Sequence, residues 1–307
     1  MTPQLHFHPD VKTALVNHQP VVALESTIIT HGLPYPENLQ TARMIEAMVK
    51  DNGAVPASIA IINGQMKIGL SDEELCYLAD PNTDVTKVSR RDIAHIIAGK
   101  KNGATTVAGT MILAAMAGIP IFATGGIGGV HKGADQTFDI SADLPELANS
   151  NVAVVSAGPK AILDLPLTME YLETHGVPVI GYGTDELPAF WSRRSGIKLG
   201  MRADTATDIA SIMKTKWDLG LKGGMLIANP VPEDKEIPAE DLQKVIDDAL
   251  DMARAQNITG KQTTPFLLDL IRQKTNGDSL ITNQALILHN AAIAAKIAIA
   301  YCELKKA

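Results

Sequence analysis

Cysteines, aromatic residues and clusters of basic residues are scarce in this 307-residue chain. Only two cysteines occur, Cys76 and Cys302, and neither belongs to a CxxC pair. This excludes a disulfide framework and a zinc–thiolate site, and it favours a reducing, cytoplasmic compartment. The formal charge is −7 and there is no Lys/Arg run, so the sequence predicts no binding to a nucleic-acid backbone. A small phosphorylated ligand needs only local positive charge and remains compatible.

Signals for export, membrane insertion and nucleotide binding are also missing. Residues 1–10 lack the charged and apolar regions of a signal peptide. The uncharged stretch from Asn102 to Val130 predicts a small-residue helix near Gly109–Ala117, a break and a buried strand, because glycines and Pro120 interrupt it. There is no GxxxxGK[ST], GxSxG or HExxH motif, and His131 stands where GxGxxG would need its last glycine.

Short apolar runs rich in β-branched residues alternate with helical patterns along most of the chain. The runs are Val21–Ile29, Ser58–Ile62, Thr105–Val107, Ile119–Thr124, Val152–Ser156, Val177–Gly181 and Met225–Ala228. Such alternation predicts strands buried on both faces of a parallel sheet. Asn63-Gly64 between two apolar runs predicts a type I′ hairpin, which makes the sheet mixed. We therefore expect a three-layer α/β/α fold with a mixed, mostly parallel central sheet.

Several helix starts are marked by capping residues and prolines. Ser89 has Asp92 three residues on, Pro238 precedes an amphipathic run to Ala255, and Thr264-Pro265 precedes another helix. The last helix, about Ser279–Leu304, is apolar almost all round, which predicts a central position or a subunit interface and hence a homo-oligomer. No repeat, linker or composition shift divides the chain, so we expect one domain over residues 1–307.

Glu25 lies within the apolar run Val21–Ile29, and we expect it in the middle of a buried strand. Burial favours the neutral carboxylic acid, which suits a general acid that protonates a leaving group. A structural carboxylate bonded to a neighbouring loop is the alternative. The following loop, Thr30–Pro34, ends a strand where open α/β sheets bind ligands, which favours the functional interpretation.

Lys160 follows the run Val152–Ser156, and Pro159 predicts that it opens a helix, which Pro166 breaks or kinks. The positive end of the helix dipole and partial burial would disfavour the ammonium form and leave a nucleophilic amine. A Schiff-base lysine requires such an amine. The alternative is an ion pair with Asp164 on the helix surface.

Acidic and glycine-rich segments follow one another in the middle of the chain. Asp135, Asp139 and Asp143 are spaced four residues apart, a pattern that suits Mg²⁺ or Mn²⁺ at Asp139 but is also typical of capping or solvated aspartates. Gly125–Gly129, followed by His131, offers backbone N–H groups to a phosphate or sugar oxygen; close packing is the alternative.

Two further polar residues are candidates for a cleft. Lys87 lies just before the predicted helix at Ser89, and Asn283 lies near the start of the apolar terminal helix with Asn290 on the same face. An exposed lysine and a backbone-bonded asparagine are the alternatives.

Four motifs and a final Thr282-Asn283 pair, taken together, resemble the pseudouridine-5′-phosphate glycosidase family, which is indigoidine synthase A-like. The motifs are Leu24–Asn38 (LESTIITHGLPYPEN), Thr124–His131 (TGGIGGVH), Phe138–Asp143 (FDISAD) and Ser156–Asp164 (SAGPKAILD). They occur in the family's order, the likeness extends over nearly the whole chain, and no motif position departs from the pattern.

The resemblance implies a homotrimer of α/β/α subunits that reversibly cleaves the C–C glycosidic bond of pseudouridine 5′-phosphate to uracil and ribose 5-phosphate. It implies one divalent ion per subunit, usually Mn²⁺. By motif match, Lys160 is the Schiff-base nucleophile, Glu25 the proton donor and Asp139 the metal ligand. The implied substrate contacts are Lys87, Thr106, Val107, His131, Ser141, Ala142, Asp143 and Asn283, the last of them near uracil.

Such chemistry needs a covalent catalyst because a C–C glycosidic bond has no heteroatom to protonate, so simple oxocarbenium departure would be slow. An iminium at C1 of the opened ribose is an electron sink, and a bond to a protonatable uracil carbon then breaks in a retro-Mannich step. Two rivals remain. A class I sugar-phosphate aldolase would share Lys160 but release no uracil, and a non-catalytic sugar-phosphate-binding protein would bind ribose 5-phosphate without covalent capture. We expect no nucleic-acid or membrane partner.

Overall fold

A computed structural model describes residues 4–256, 258, 263–275 and 277–306. The strands in this part of the chain are β1 Leu5–Phe7, β2 Val21–Leu24, β3 Val55–Ile62, β4 Gln65–Ile68, β5 Thr86–Val88, β6 Gly103–Thr105, β7 Ile121–Ala123, β8 Val130–His131, β9 Ala153–Ser156, β10 Leu163–Asp164, β11 Val179–Tyr182, β12 Arg202–Ala203 and β13 Met225–Ala228.

The helices are α1 Pro9–Val16, α2 Glu37–Asp51, α3 Asp72–Ala79, α4 Ile93–Ala98, α5 Val107–Met116, α6 Ala134–Thr137, α7 Asp143–Asn149, α8 Leu165–Thr174, α9 Ala206–Asp218, α10 Ala239–Ala255, α11 Thr263–Lys274 and α12 Asp278–Lys306. A π-helical turn spans Ile28–Gly32, and 3₁₀ turns span Arg90–Asp92 and Glu233–Lys235.

The main sheet is mixed and mostly parallel, as the alternating pattern predicts. Its strand order is β1-β4-β3-β2-β7-β9-β13-β11-β12, with β6 pairing both β3 and β5. The central strands β2, β7, β9, β13 and β11 pair in parallel, whereas β3 runs antiparallel to β4 and β6. A separate antiparallel pair joins β8 to β10.

The hairpin between β3 and β4 confirms the prediction made from Asn63-Gly64. A type I′ turn requires positive φ at both central residues, and Asn63 and Gly64 have φ of 50° and 74°. A Cβ at Gly64 would also lie 2.7 Å from the Ile97 carbonyl oxygen, so glycine is the residue that fits.

Alternate residues of the central strands enter different hydrophobic cores, which places one core on each face of the sheet. Val22 and Leu24 of β2 pack in a core with α2, α9 and α12, whereas Val21 and Ala23 pack in a second core with α1 and α5. The predicted three-layer α/β/α arrangement is therefore confirmed. A single domain over residues 1–307 stays a prediction.

Helix α12 is long and apolar enough to cross a membrane, but its most apolar part is 61% buried within the protein. It packs against α2, α9 and strands β2, β7 and β9, which confirms the predicted central position. The uncharged stretch Asn102–Val130 is divided among β6, α5, β7 and β8, and the chain turns at Gly118 with a φ of 74°.

Two strand predictions are wrong at their ends. Strand β2 stops at Leu24, because the next residues turn away and the Ser26 hydroxyl donates to the Ile59 carbonyl at 2.7 Å and accepts from the Thr105 N–H at 2.9 Å. Strand β6 stops at Thr105, because Thr106 caps α5 by accepting from the Gly109 N–H. Helix α11 begins at Thr263, so Thr264 and Pro265 belong to its first turn rather than preceding it, and their side chains lie outside the described residues.

Candidate active site

Two cavities adjoin at the carboxyl ends of β2, β7 and β9, and they share Glu25, Thr27, Lys87 and Lys160. One, here called the apolar cavity, has a volume of about 110 Å³ and is further lined by Ile28, His31, Leu33, Phe190, Leu268, Asn283, Gln284, Leu286 and Ile287. The other, here called the polar cavity, has a volume of about 460 Å³ and is further lined by Ser89, Arg90, Arg91, Thr106, Val107, Gly128, His131, Asp139, Ser141, Ala142 and Asp143.

Glu25 lies at the end of β2 rather than in the middle of a strand, so the expectation of full burial is wrong. It is half-buried, and each carboxylate oxygen accepts a hydrogen bond from a threonine hydroxyl, one from Thr27 and one from Thr124. Because both hydroxyls donate, the two carboxylate oxygens of Glu25 are held in one orientation.

Lys160 does not open a helix, so the prediction from Pro159 and the helix dipole is wrong. It lies in a loop between β9 and β10, where its N–H donates to the Ile127 carbonyl at 3.1 Å. Helix α8 begins only at Leu165, with Pro166 in its first turn. Asp164 caps that helix by accepting from the Leu167 N–H at 3.0 Å, and no Lys160–Asp164 ion pair occurs among the described residues.

The polar cavity brings together the predicted substrate contacts that lie at the starts of α5 and α7. Within the hydrogen bonds of the described residues, the backbone N–H groups of Val107 and Ala142 have no protein acceptor. Val107 is the first residue of α5, so the positive end of that helix dipole faces the cavity as well. Lys87 and Ser141 line the same cavity, and together with them these donors suit a phosphate group.

The three aspartates spaced four residues apart do not form one cluster. Asp135 is exposed on α6, and Asp143 is buried with its two oxygens accepting from the Ala108 N–H at 2.9 Å and the Gly128 N–H at 2.8 Å. Asp139 and Asp143 both line the polar cavity, and Asp139 is the more exposed of the two. No group of three metal-ligating side chains occurs among the described residues.

Part of the glycine loop serves close packing. The N–H groups of Ile127, Gly128 and Val130 donate to the Gly158 carbonyl, Asp143 and Thr168, so they are already used within the protein. A Cβ at Gly128 would lie 2.2 Å from the Ser141 hydroxyl oxygen, which explains the glycine there.

The pKa values of two histidines in the site are lowered. Burial lowers the pKa of His131, and the charges of Lys160 and Lys87 lower it further although Asp139 opposes them. Burial and Lys87 likewise lower the pKa of His31, which lies on the π-helical turn with its Nδ1 2.5 Å from the Thr30 hydroxyl oxygen. Lys87 therefore lies within electrostatic reach of both imidazoles.

Asn283 brings an unsatisfied polar atom to the apolar cavity. Its side-chain oxygen is buried and, among the described residues, it has no hydrogen-bond partner. Gln284 also lines this cavity, and its amide donates to the Thr41 hydroxyl at 3.0 Å. A buried acceptor without a hydrogen bond costs free energy, and Asn283 is one of the residues that line this cavity.

The family model described as "Indigoidine synthase A like protein" matches residues 10–300. The chain belongs to this family. The resemblance that the four motifs indicate is therefore confirmed.

Relatives in the indigoidine synthase A-like family match along their full length. A Photorhabdus laumondii protein named pseudouridine-5′-phosphate glycosidase 2 is 58% identical over 299 residues, which cover 97% of this chain and 96% of the relative. An Escherichia coli K12 protein named pseudouridine-5′-phosphate glycosidase is 56% identical over 300 residues, which cover 98% and 96%.

Solved structures of the same fold also match over nearly the whole chain. The prealnumycin C-glycosynthase AlnA, in complex with ribulose 5-phosphate, has a TM-score of 0.91 at 37% identity and coverage of 98% of both chains. An indigoidine synthase A-like protein from Thermotoga maritima has a TM-score of 0.88 at 34% identity, with coverage of 99% of this chain and 97% of that one.

Sequence reasoning missed several residues of the site. The motif around Glu25 includes Thr27, and a polar residue two positions from a carboxylate was the available signal for a hydroxyl donor. For Arg90 the available sequence signal was the capping box at Ser89, because this box fixes the turn in which Arg90 lies. Phe190, which walls the apolar cavity, comes from a loop between β11 and β12 and has no local sequence signal.

Proposed function

We propose that the chain is a pseudouridine-5′-phosphate glycosidase that reversibly cleaves pseudouridine 5′-phosphate to uracil and ribose 5-phosphate. The full-length relatives at 56–58% identity carry that name. The observation in the structure that supports it most is the position of Glu25 and Lys160, which lie where an apolar cavity and a polar cavity meet. A substrate with a heterocycle at one end and a phosphate at the other fits this division.

The apolar cavity favours the glycosidase over a class I aldolase. An aldolase acting on sugar phosphates releases small polar fragments, which gain little from Ile28, Phe190 and Leu286. Uracil is flat and has N–H donors, so it matches both the apolar walls and the unpartnered oxygen of Asn283. The AlnA complex with ribulose 5-phosphate supports a sugar phosphate as a ligand of this fold.

In the proposed mechanism Glu25 moves protons between Lys160 and the substrate. The carboxylate, held by two threonine hydroxyls, takes a proton from the Lys160 ammonium and leaves a nucleophilic amine. The amine attacks C1′ of the sugar, the C1′–O4′ bond breaks, and Glu25 gives its proton to O4′. The ribose is then open and bonded to Lys160 as a secondary ammonium.

The same carboxylate can serve the second step. Glu25 takes a proton from the secondary ammonium of Lys160 and delivers it to C5 of uracil. The C1′–C5 bond then breaks, its electron pair restores the C5–C6 double bond, and the nitrogen lone pair forms the iminium. Water hydrolyses the iminium, which releases ribose 5-phosphate and regenerates the lysine.

A single Mn²⁺ bound through Asp139 is part of the proposal. The described residues fit an ion with one protein carboxylate and water in its other positions, because Asp143 is already bonded to two backbone N–H groups and Asp135 lies elsewhere. Such an ion would supply positive charge beside the phosphate. His131, whose pKa is lowered by burial, can accept a hydrogen bond from a sugar hydroxyl.

The homotrimer, which the family resemblance implies, and the cytoplasmic location, which the scarcity of cysteines favours, stay predictions. Sedimentation-velocity ultracentrifugation of the purified chain would measure the first. A subunit mass of 32.7 kDa predicts a trimer three times as heavy.

Incubation with pseudouridine 5′-phosphate and Mn²⁺, followed by chromatography of the products, tests the function. We expect equimolar uracil and ribose 5-phosphate from the wild type and neither from Lys160→Ala or Glu25→Gln. Lys132→Ala is the matched control, because Lys132 forms an ion pair with Asp247 outside both cavities. Release of a shorter sugar phosphate without uracil would instead establish the aldolase.

A further inference from the structure

Arg90 lies on the wall of the polar cavity, outside the set of residues that the motifs assign to the substrate. It opens the 3₁₀ turn Arg90–Asp92 directly after β5, the strand that carries Lys87. The turn is fixed by a capping box, in which the Ser89 N–H donates to the Asp92 carboxylate at 2.9 Å. The backbone of Arg90 is therefore held beside the proposed phosphate position.

One edge of the Arg90 guanidinium is locked by a buried carboxylate. Its Nε lies 2.6 Å from Oε2 of Glu146 and its Nη2 lies 3.1 Å from Oε1. The Glu146 side chain is only 2% exposed, and the Ser150 hydroxyl also donates to it at 2.5 Å. A buried carboxylate needs such partners, so the pair holds the guanidinium in one orientation.

The other edge of the same guanidinium remains accessible. The Arg90 side chain is 62% exposed, and among the described residues no hydrogen bond engages its Nη1. A guanidinium whose one edge is already fixed loses little side-chain entropy when its other edge binds an anion. Nη1 is therefore prepared to donate to an oxygen in the polar cavity.

We propose that Arg90, oriented by buried Glu146, is a specificity-determining residue that makes the site select 5′-phosphorylated sugars over unphosphorylated ones. This inference rests on the proposed function, since it assigns the polar cavity to the phosphate of that substrate. The charge of Arg90 adds to those of Lys87 and the α5 N-terminus around a dianion. A purely structural salt bridge between the turn and α7 is the competing account.

Binding measurements separate the two accounts without depending on catalysis. Isothermal titration calorimetry of the Lys160→Ala protein would measure the Kd of ribose 5-phosphate, inorganic phosphate and uracil. The first variant combines Arg90→Gln with Glu146→Gln. It removes both charges of the Arg90–Glu146 salt bridge, so that no buried carboxylate is left unpaired. Arg90→Lys is the second variant, because lysine keeps a positive charge opposite Glu146 but lacks the second edge of the guanidinium.

The surface pair Arg43–Asp72 provides a matched control. It has the same bidentate geometry, with Arg43 Nε and Nη2 at 2.8 Å and 2.7 Å from the two Asp72 oxygens, and neither residue lines the two cavities. Arg43→Gln with Asp72→Asn should leave the affinity for all three ligands unchanged.

We expect the double Arg90/Glu146 variant to raise the Kd of ribose 5-phosphate and of inorganic phosphate by about 10- to 100-fold, as loss of a charge-assisted hydrogen bond does. The Kd of uracil should stay within about twofold, and Arg90→Lys should lie between the double variant and its parent. Unchanged phosphate affinity would overturn the proposal. An equal loss of affinity for phosphate and uracil would also overturn the proposal. Failure of the parent protein to bind either phosphate ligand would overturn it as well. If phosphate affinity depends on Arg90 but the wild type releases no uracil, the proposed function fails and the role of Arg90 stands.

Discussion

Replacing Asn283 by leucine should stabilise the ligand-free protein and impair uracil binding at the same time. Leucine has nearly the shape of asparagine, and it removes the buried oxygen that has no partner in the described structure. An unsatisfied buried polar group costs about 1–3 kcal/mol. At about 2 °C per kcal/mol for a chain of this size, the melting temperature of Asn283→Leu should rise by about 2–6 °C.

The gain in stability comes with a loss of function, because uracil then buries an N–H with no acceptor. A lost hydrogen bond of about 1.4 kcal/mol corresponds to a tenfold change, so the KM for uracil in the synthetic direction should rise at least about tenfold. Thermal denaturation without ligand and initial rates of synthesis from ribose 5-phosphate and uracil measure the two effects.

Asn290, seven residues further along the same helix, is the matched control, because its replacement by leucine should lower the melting temperature instead of raising it. Its amide donates to the Thr124 carbonyl at 2.8 Å and accepts from the Asn229 side chain at 2.9 Å. Asn290→Leu should therefore destabilise the protein by at least about 2 kcal/mol. A lower melting temperature for Asn283→Leu, or an unchanged KM for uracil, would refute the reasoning about the orphaned oxygen.

Three further substitutions test other parts of the structure. Thr124→Val removes one of the two hydroxyl donors to the catalytic carboxylate, so kcat for uracil release should fall about tenfold with little change in KM, and Thr124→Ser should restore it. Gly126→Ala places a methyl group 2.6 Å from the Phe190 ring and should lower the free energy of unfolding in urea by about 1–3 kcal/mol; Gly200→Ala, in open space, should not. Burial lowers the pKa of His289, so below about pH 6.5 the unfolded chain binds a proton that the folded chain does not, and the free energy of unfolding should fall. His289→Asn should weaken this dependence of the free energy of unfolding on pH, measured by urea titrations from about pH 5 to 7.

The sheet could be predicted because its signals are local. Buried parallel strands appear as apolar runs, and Asn63-Gly64 specifies a turn by the φ angles of two adjacent residues. The same holds for α12, whose apolar surface on all sides leaves only a buried position. Strand ends were less predictable, because β2 stops where Ser26 bonds to distant strands, and no residue near Ser26 signals that contact.

The site was only partly predictable for the same reason. Motifs identified Glu25 and Lys160, but their local conformations were predicted incorrectly, since neither a mid-strand glutamate nor a helix-opening lysine is present. Pro159 suggested a helix start, yet the chain bonds to the glycine loop at that point and begins α8 only later. The pair between Arg90 and Glu146 joins residues far apart in the chain, so no sequence spacing indicates it.

Covalent capture of the sugar by Lys160 is the central claim, and borohydride trapping tests it most directly. The wild type, Lys160→Ala and Lys87→Ala would each be treated with ribose 5-phosphate and borohydride, and the intact mass and the modified peptide determined. Lys87 is included because it lines the same two cavities. We expect one reduced sugar adduct on Lys160 in the wild type and none in Lys160→Ala. An adduct on Lys87, or no adduct in a wild-type protein that binds ribose 5-phosphate, would contradict the mechanism.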